Sequence, residues 1–196
     1  MSREEVKGLL NEIGTQVLIL GTIVGIMWGL EILDLFLGGY LDRFGIRPQS
    51  IPGLRGILFA PFLHGNFIHL LFNTVPFLVL GWFVMLRRTS DFWVVTAIVM
   101  LISGLGVWLF APPFTNHIGA SGVVFGYFGF LLSRGYFERS FSSILMSVIV
   151  GLLYGSMIWG VLPIRYGISW QGHLFGFVGG IIAAWLLAKP RTSSSF

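Results

Sequence analysis

The chain has 196 residues, of which 55% are hydrophobic and only 10% are charged, against roughly 25% charged residues in an ordinary soluble domain. So few charged side chains cannot cover the surface of a soluble globule, and the high hydrophobic content excludes intrinsic disorder. The absence of cysteine excludes disulfides and zinc sites with cysteine ligands. The net charge of +4 comes from basic residues between apolar runs, which favours a topological role over nucleic-acid binding. The composition therefore predicts a polytopic membrane protein.

Six apolar runs are about long enough to cross a bilayer as helices. In chain order they cover residues 14–36, 66–86, 92–110, 119–137, 141–162 and 170–188. The predicted fold is an all-α bundle of six transmembrane helices, in which residues 14–188 form one domain. Apolar residues recur at helical spacing within residues 1–13, which predicts an amphipathic helix on the membrane surface. Residues 189–196 are predicted to form a short polar cytoplasmic tail.

The basic residues predict the orientation of this bundle. In a six-span arrangement, the side that carries both termini holds Arg3, Lys7, Arg87, Arg88, Arg134, Arg139, Lys189 and Arg191. The opposite side holds only Arg43, Arg47, Arg55 and Arg165. The asymmetry predicts that both termini are cytoplasmic, in a bacterial or archaeal cell membrane. Residues 37–65 then form a long external loop, whose glycines, prolines and apolar residues predict a structured and partly embedded segment.

Several polar side chains lie within the predicted spans, where burial is costly and indicates a function. His69 and Asn73 lie in the second span, Ser121 begins the fourth, and His173 lies near the outer start of the sixth. A rise of about 1.5 Å per residue places all four roughly 20–27 Å from the basic residues at the cytoplasmic ends of their spans. This level is below the outer surface and above the midplane. The sequence therefore predicts one polar site to which three helices contribute.

The stretch 111–118 contains two prolines and is too short to cross the membrane, so the fourth helix is predicted to begin below the surface. A helix N-terminus at that depth is tolerated where it lines a water-filled cavity or is buried in protein. Its free N–H groups would be suited to stabilise an oxyanion beside Ser121. Close packing of the fourth and sixth helices is predicted by two stripes of small residues, namely Gly122, Gly126 and Gly129 with Gly172, Gly176 and Gly180.

These motifs resemble the rhomboid family of intramembrane serine proteases. The resemblance lies in the run Gly119-Ala120-Ser121-Gly122, in His173 and Gly176, and in the second-span run that contains His64, His69 and Asn73. It covers about residues 14–188. Two positions differ from many relatives: Phe125 stands where they carry tyrosine, and Leu54-Arg55 stands where they carry Trp-Arg.

The resemblance implies that Ser121 is the nucleophile and that His173 is the general base. It also implies that Asn73, His69 and the backbone N–H of Ser121 stabilise the oxyanion. His64 is implied to be structural, and further supporting roles are expected for Gly119, Gly122, Phe125, Gly172 and Gly176. The implied substrates are membrane helices, single-pass proteins above all, which enter laterally between the second and fifth spans past Phe72 and Trp159. Beyond these substrates and the lipid bilayer, no nucleic acid, metal or cofactor is expected.

A serine hydroxyl needs an adjacent base to act as a nucleophile, and an imidazole suits that task near neutral pH. All eight acidic residues lie at span ends or in loops, away from the predicted site. The sequence therefore predicts a Ser–His dyad rather than a triad, with Phe125 packed against the imidazole of His173. The predicted reaction is acyl transfer, in which Ser121 attacks a peptide carbonyl and water later releases the acyl group.

Other interpretations stay open at this point. Taken alone, Ser121 is typical of a packing residue, and His173 and Asn73 are typical of interhelical hydrogen bonding. His117 is expected to face water or to form local hydrogen bonds. A metal site is disfavoured because no His-Glu-x-x-His pair and no inward carboxylate is present. Two further classes are a transporter or channel and a rhomboid-like protein that binds membrane helices without cutting them; the sequence leaves substrate identity and oligomeric state undetermined.

Overall fold

The computed structural model describes residues 2–164 and 167–188, so the predicted tail 189–196 lies outside the described residues. The described chain is almost entirely helical, with one β-bridge between Ile46 and His117. Its α-helices are α1 (Arg3–Phe36), α2 (Gly56–Phe59), α3 (Phe67–Met85), α4 (Thr89–Phe110), α5 (Ser121–Glu138), α6 (Phe141–Tyr154) and α7 (Trp170–Leu187). Short 3-10 turns cover Leu41–Phe44, Ile51–Arg55 and Ala60–Phe62, and a fourth, Gly155–Val161, continues α6.

Within the described ranges, five helices are long and apolar enough to cross a membrane: α1, α3, α4, α6 with its 3-10 extension, and α7. The chain is therefore an integral membrane protein. Helix α5 is not among the five, although the sequence analysis treated it as a span like the others. It is the central helix of the bundle, largely buried and packed against α3, α4, α6 and α7. Because protein surrounds it, α5 needs less apolar surface than a helix that faces lipid.

Helix α1 is longer than the first predicted span. Residues 3–13 are helical, as predicted, but they continue into the span without a break and do not form a separate helix. Its 34 residues correspond to about 50 Å, which exceeds the roughly 30 Å thickness of a hydrocarbon core. Ser2 and Glu5 close the start of α1 with a capping box. Nothing ends the helix at residue 13, because Gly14 alone only weakens a helix and no proline follows it.

The two glycine stripes bring the backbones of α5 and α7 into direct contact. A Cβ atom added to Gly176 would collide with the carbonyl oxygen of Gly122, and one added to Gly180 would collide with that of Gly126. A Cβ on Gly129 would likewise collide with the carbonyl of Phe177. The close packing predicted for these two helices is confirmed.

A network of charged residues closes the end of the bundle opposite Ser121. Glu138 at the end of α5 pairs with Arg87 and, at 2.9 Å, with Arg134. Arg87 also donates to the carbonyl oxygen of Leu187 in the last turn of α7, at 3.1 Å. The network joins the turn after α3 to the ends of α5 and α7. It therefore fixes how the helices that carry the polar site are placed along their axes.

Residues 37–66 between α1 and α3 are structured, as predicted, and hold the connection that leads into α5. Ile46 and His117 exchange two backbone hydrogen bonds of 2.9 Å. The N–H of Gly119 donates to the carbonyl of Ala60 at 2.8 Å. These contacts tie the stretch before Ser121 to the first loop. The partial embedding of this loop in the membrane stays a prediction.

Replacing Gly180 with alanine should destabilise the bundle, because the added methyl group would meet the α5 backbone. Overpacking of this kind costs about 1–3 kcal/mol, measurable as a lower midpoint of thermal unfolding in detergent. Gly25→Ala on α1 is the control, since no atom lies within 4 Å of the added carbon and alanine favours the helix. Equal midpoints for the two variants would contradict the proposed importance of the α5–α7 contact.

Candidate active site

Ser121 is the first residue of α5, at the helix N-terminus predicted from the sequence. Among the described residues, no side chain caps this helix, and the N–H groups of Ser121 and Gly122 have no backbone acceptor. The first N–H groups of a helix point outward along its axis and carry a partial positive charge. The N-terminus of α5 can therefore donate to a negatively charged oxygen beside the Ser121 hydroxyl.

His64 holds the peptide that precedes Ser121. The N–H of Ala120 donates to His64 Nε2 at 3.3 Å, and the imidazole is buried. Burial, with a smaller effect of the neighbouring His69, lowers the pKa of His64 to about 4. The ring is therefore neutral at pH 7 and can accept this hydrogen bond. The contact agrees with the structural role expected of His64, whereas the sequence analysis did not identify Ala120 as its partner.

His69 and Asn73 lie on one face of α3 and approach Gly119, two residues before Ser121. Asn66 caps α3 by accepting from the N–H of His69 at 2.8 Å. A Cβ atom on Gly119 would lie 2.7 Å from His69 Cε1 and 3.8 Å from Asn73 Nδ2. Gly119 also has a φ of +110°, which a residue with a side chain rarely adopts. Glycine at this position therefore leaves room for the His69 imidazole at the start of α5, with the Asn73 amide in ordinary contact beside it.

His173 is buried in α7 and is held by two groups. The Phe125 ring stacks on the imidazole with centroids 4.0 Å apart and planes inclined by 7°. The second group is the backbone carbonyl of Gly160, 2.9 Å from His173 Nδ1. A carbonyl oxygen only accepts, so Nδ1 carries the proton and the lone pair is on Nε2. The predicted packing of Phe125 is present, whereas Gly160 has no sequence signal because every residue has a carbonyl.

Ser121 and His173 line the same cavity, which has a volume of about 1290 Å³. His69, Asn73 and Phe125 also line it. Among the described residues, however, no hydrogen bond joins the Ser121 hydroxyl to His173, so the predicted direct contact is not formed in this arrangement. Gly160 and Phe125 orient the imidazole, whereas none of the described residues forms a hydrogen bond with the Ser121 hydroxyl. Such contacts are often long without substrate and shorten in the reacting complex.

One wall of this cavity belongs to the predicted entry route. Phe72 and Pro76 of α3 line it on one side, and Met157 of the α6 extension lines it on the other. Phe72 is 75% exposed, as expected of a residue at an opening. Trp159 is 66% exposed, but it is not among the described residues that line the cavity.

His117 forms a local hydrogen bond, as expected, and also a contact with a serine that the sequence analysis missed. Its Nδ1 lies 2.7 Å from the Ser169 hydroxyl, and its Nε2 lies 2.8 Å from the Thr115 hydroxyl. Burial lowers the pKa of His117. Both ring nitrogens are thus occupied, and the ring ties the connection before α5 to the residue that precedes α7. In the sequence, this contact is indicated only by the positions of the two residues: His117 lies shortly before the start of α5, and Ser169 directly precedes α7.

The described residues contain no group of three His, Cys, Asp or Glu side chains close enough to hold a metal ion. In particular, His64, His69 and His173 do not assemble into the metal site that was weighed as an alternative. The Nδ1 atom of His173 is also engaged by a carbonyl rather than by a carboxylate.

Residues 53–190 match the family model described as "Rhomboid domain". The chain belongs to the rhomboid family. It is 43% identical over 187 residues to "Uncharacterized protein Rv1337" of Mycobacterium tuberculosis, with 91% of this chain and 76% of that protein covered. It is 40% identical over 180 residues to "Uncharacterized protein ML1171" of Mycobacterium leprae, with 87% and 70% covered. It is 29% identical over 137 residues to "Putative rhomboid protease YdcA" of Bacillus subtilis, with 66% and 65% covered.

The lowered pKa of His64 predicts how the stability of this rhomboid-family protein depends on pH. The pKa is about 4 in the folded protein and about 6.5 in an unfolded chain. The unfolded state therefore gains a proton first as the pH falls from 6.5 towards 4, and stability is lost over that range. His64→Gln keeps an acceptor for Ala120 but does not titrate. Its unfolding midpoint should fall less than that of the wild type between pH 7 and 4.5; parallel curves would contradict this assignment.

Proposed function

We propose that this rhomboid-family protein is an intramembrane serine endopeptidase in which Ser121 and His173 act as a catalytic dyad. The observation that carries the proposal is the state of the His173 ring. Its Nδ1–H is occupied by the Gly160 carbonyl and one face is covered by Phe125. Nε2 is thus the free base, in a cavity that also holds Ser121 at an uncapped helix N-terminus. Family membership is the second support.

In the proposed reaction, the Ser121 hydroxyl rotates towards His173 Nε2 and loses its proton to it as Oγ attacks the peptide carbonyl carbon. The tetrahedral intermediate collapses when the imidazolium gives this proton to the departing amine, which leaves an acyl-serine. A water molecule from the cavity then loses a proton to Nε2 and attacks the ester. The second collapse releases the new carboxyl terminus and returns the proton to Ser121.

Three sets of donors surround the place where the oxyanion would form. The first is the N-terminus of α5, where the N–H of Ser121 is available. The others are Asn73 and His69, which lie against Gly119. Asn73 Nδ2 donates one N–H to the His69 carbonyl at 3.0 Å, and its amide has a second N–H to offer. The Ala120 N–H is excluded from this group because His64 already accepts it.

Ser169 is hydrogen-bonded to His117, but this pair does not meet the requirement for a histidine nitrogen that is free to transfer a proton. Thr115 occupies the other nitrogen of His117. That ring therefore has no free nitrogen that could pass a proton to a departing amine. Among the residues that the structure describes, Ser121 alone shares a cavity with an imidazole that has a free nitrogen and also begins an uncapped helix.

The proposed substrates are transmembrane helices of other proteins, single-pass proteins above all. We place both termini in the cytoplasm, so that α5 is a sixth, central span and the scissile bond lies towards the external face. A helix hides its peptide bonds, so the substrate must unwind locally, which glycine or proline would ease. Entry between α3 and α6 is supported by the cavity wall formed by Phe72 and Met157 and by the exposed surface of α6.

A channel or transporter is less well supported, because its polar residues would continue across the membrane. Here the bundle is closed opposite the cavity by the ion pairs of Glu138 with Arg87 and Arg134. A rhomboid-like protein that only binds membrane helices has no need of a free imidazole nitrogen beside a serine hydroxyl. Both alternatives are tested by the chemistry of Ser121.

A fluorophosphonate probe should label the purified protein in detergent, and Ser121→Ala should abolish the labelling. Ser169→Ala is the matched control: it removes a hydroxyl from the same cavity and should leave the label in place. Wild-type protein that has not been treated with the probe should also cleave a reporter transmembrane helix in the presence of chelators, and labelling should block this cleavage. Absence of labelling, or its loss in Ser169→Ala but not in Ser121→Ala, would refute the proposed dyad.

Asn73→Ala should slow cleavage without abolishing it. Loss of one oxyanion donor costs about 10²–10³ in rate, while the α5 N-terminus and His69 remain. The measurement is the initial rate of reporter cleavage at saturating substrate, with the unfolding midpoint checked alongside. A rate equal to that of the wild type would show that Asn73 does not stabilise the oxyanion.

A further inference from the structure

The carbonyl that orients His173 comes from the end of a helix, where the last carbonyl groups have no donor within the helix. Gly160 lies in the 3-10 extension Gly155–Val161. In a 3-10 helix, its carbonyl would accept the N–H of residue 163. Residue 163 is proline, which has no N–H. The next N–H, that of Ile164, donates instead to the carbonyl of Leu162 at 2.8 Å.

The missing side chain of Gly160 matters as much as its carbonyl. A Cβ atom at this position would lie 2.6 Å from Phe125 Cζ and 3.4 Å from His173 Nδ1. The first distance is too short for carbon atoms in contact. Any larger residue would therefore displace either the stacked phenyl ring or the backbone that carries the carbonyl.

We infer that Gly160 and Pro163 form a positioning element for His173, in which the glycine supplies the orienting carbonyl and the proline leaves that carbonyl free. The inference rests on the proposed Ser–His chemistry. It assigns to the end of α6 the task that a carboxylate performs in a soluble triad, namely holding the imidazole in one tautomer. Neither residue touches the reacting atoms, so both act through His173.

The positioning element lies at the cavity wall, so a movement of this wall would also affect His173. Pro163 and Met157 of the same stretch line the cavity, while the α6 helix itself packs chiefly against α5. A substrate helix that pushed the end of α6 aside would also remove the acceptor from His173 Nδ1. The base is therefore correctly oriented only while the end of α6 is in its place.

The test compares Gly160→Ala with Gly155→Ala, a change in the same 3-10 segment where no atom lies within 4 Å of the added carbon. The tautomer of His173 is read from its ring ¹⁵N shifts in histidine-labelled protein, assigned by the loss of signals in His173→Gln. Gly160→Ala should give a mixture of tautomers and lower the rate of fluorophosphonate labelling by about 10–100-fold, by analogy with the loss of the group that orients a metal-bound histidine. Gly155→Ala should match the wild type in both measurements.

Pro163→Ala is the second variant, because it adds no volume and restores an N–H that competes for the Gly160 carbonyl. It should shift the tautomer and slow labelling at an unchanged unfolding midpoint, and it decides the matter if Gly160→Ala does not fold. The inference would be overturned if Pro163→Ala, or Gly160→Ala that folds, kept the wild-type tautomer of His173 and the wild-type labelling rate. This result would leave the proposed function intact. If the variants shifted the tautomer but the probe did not label even the wild type, the proposed function would be refuted and the positioning element would be retained.

Discussion

The backbone contact between α5 and α7 is the constraint on which the candidate site depends. Gly176 of α7 lies against the carbonyl of Gly122, the residue next to Ser121. His173 is one turn before Gly176 on the same helix. Between helices in lipid there is little hydrophobic driving force, so close van der Waals packing of small residues provides much of the attraction. The same glycines that stabilise the bundle therefore bring the serine and the imidazole to adjacent positions, and the ion pairs of Glu138 hold the other end.

The site orients its imidazole with neutral groups. A carboxylate beside His173 would have to be buried among apolar helices, where the desolvation of a charge costs several kcal/mol. A backbone carbonyl supplies a hydrogen-bond acceptor without that cost, and the Phe125 ring restricts the imidazole by contact alone. His64 follows the same principle, because its neutral ring accepts the Ala120 N–H and fixes the peptide before Ser121. Uncharged contacts thus position a polar site inside an apolar protein.

Most helices of the bundle were predicted from the sequence, whereas α1 and α5 differ from what was expected. The apolar runs predicted the helices closely, and the glycine spacing predicted the contact of α5 with α7, because both depend on composition and a period of 3.6 residues. Helix α5 differs from expectation: its apolar run was treated as a span like the other five, but the helix is not among those apolar enough to cross a membrane on their own, and it is central and enclosed. The helix also continues through residue 13, where the sequence analysis had ended a separate surface helix. An apolar run indicates that a segment is shielded from water, but it does not show whether lipid or protein surrounds the segment.

The sequence by itself determined that this is a membrane protein, which polar side chains lie at one level, and which helix faces can approach closely. These properties follow from residue types and their spacing along one chain segment. Only the tertiary structure decided which atoms meet: the Gly160 carbonyl with His173, the Ala120 N–H with His64, and Ser169 with His117. Two of these contacts use backbone atoms that every residue carries, and all three join separate segments. The tautomer of the proposed base is therefore a property of the folded molecule, set by a distance that no local pattern encodes.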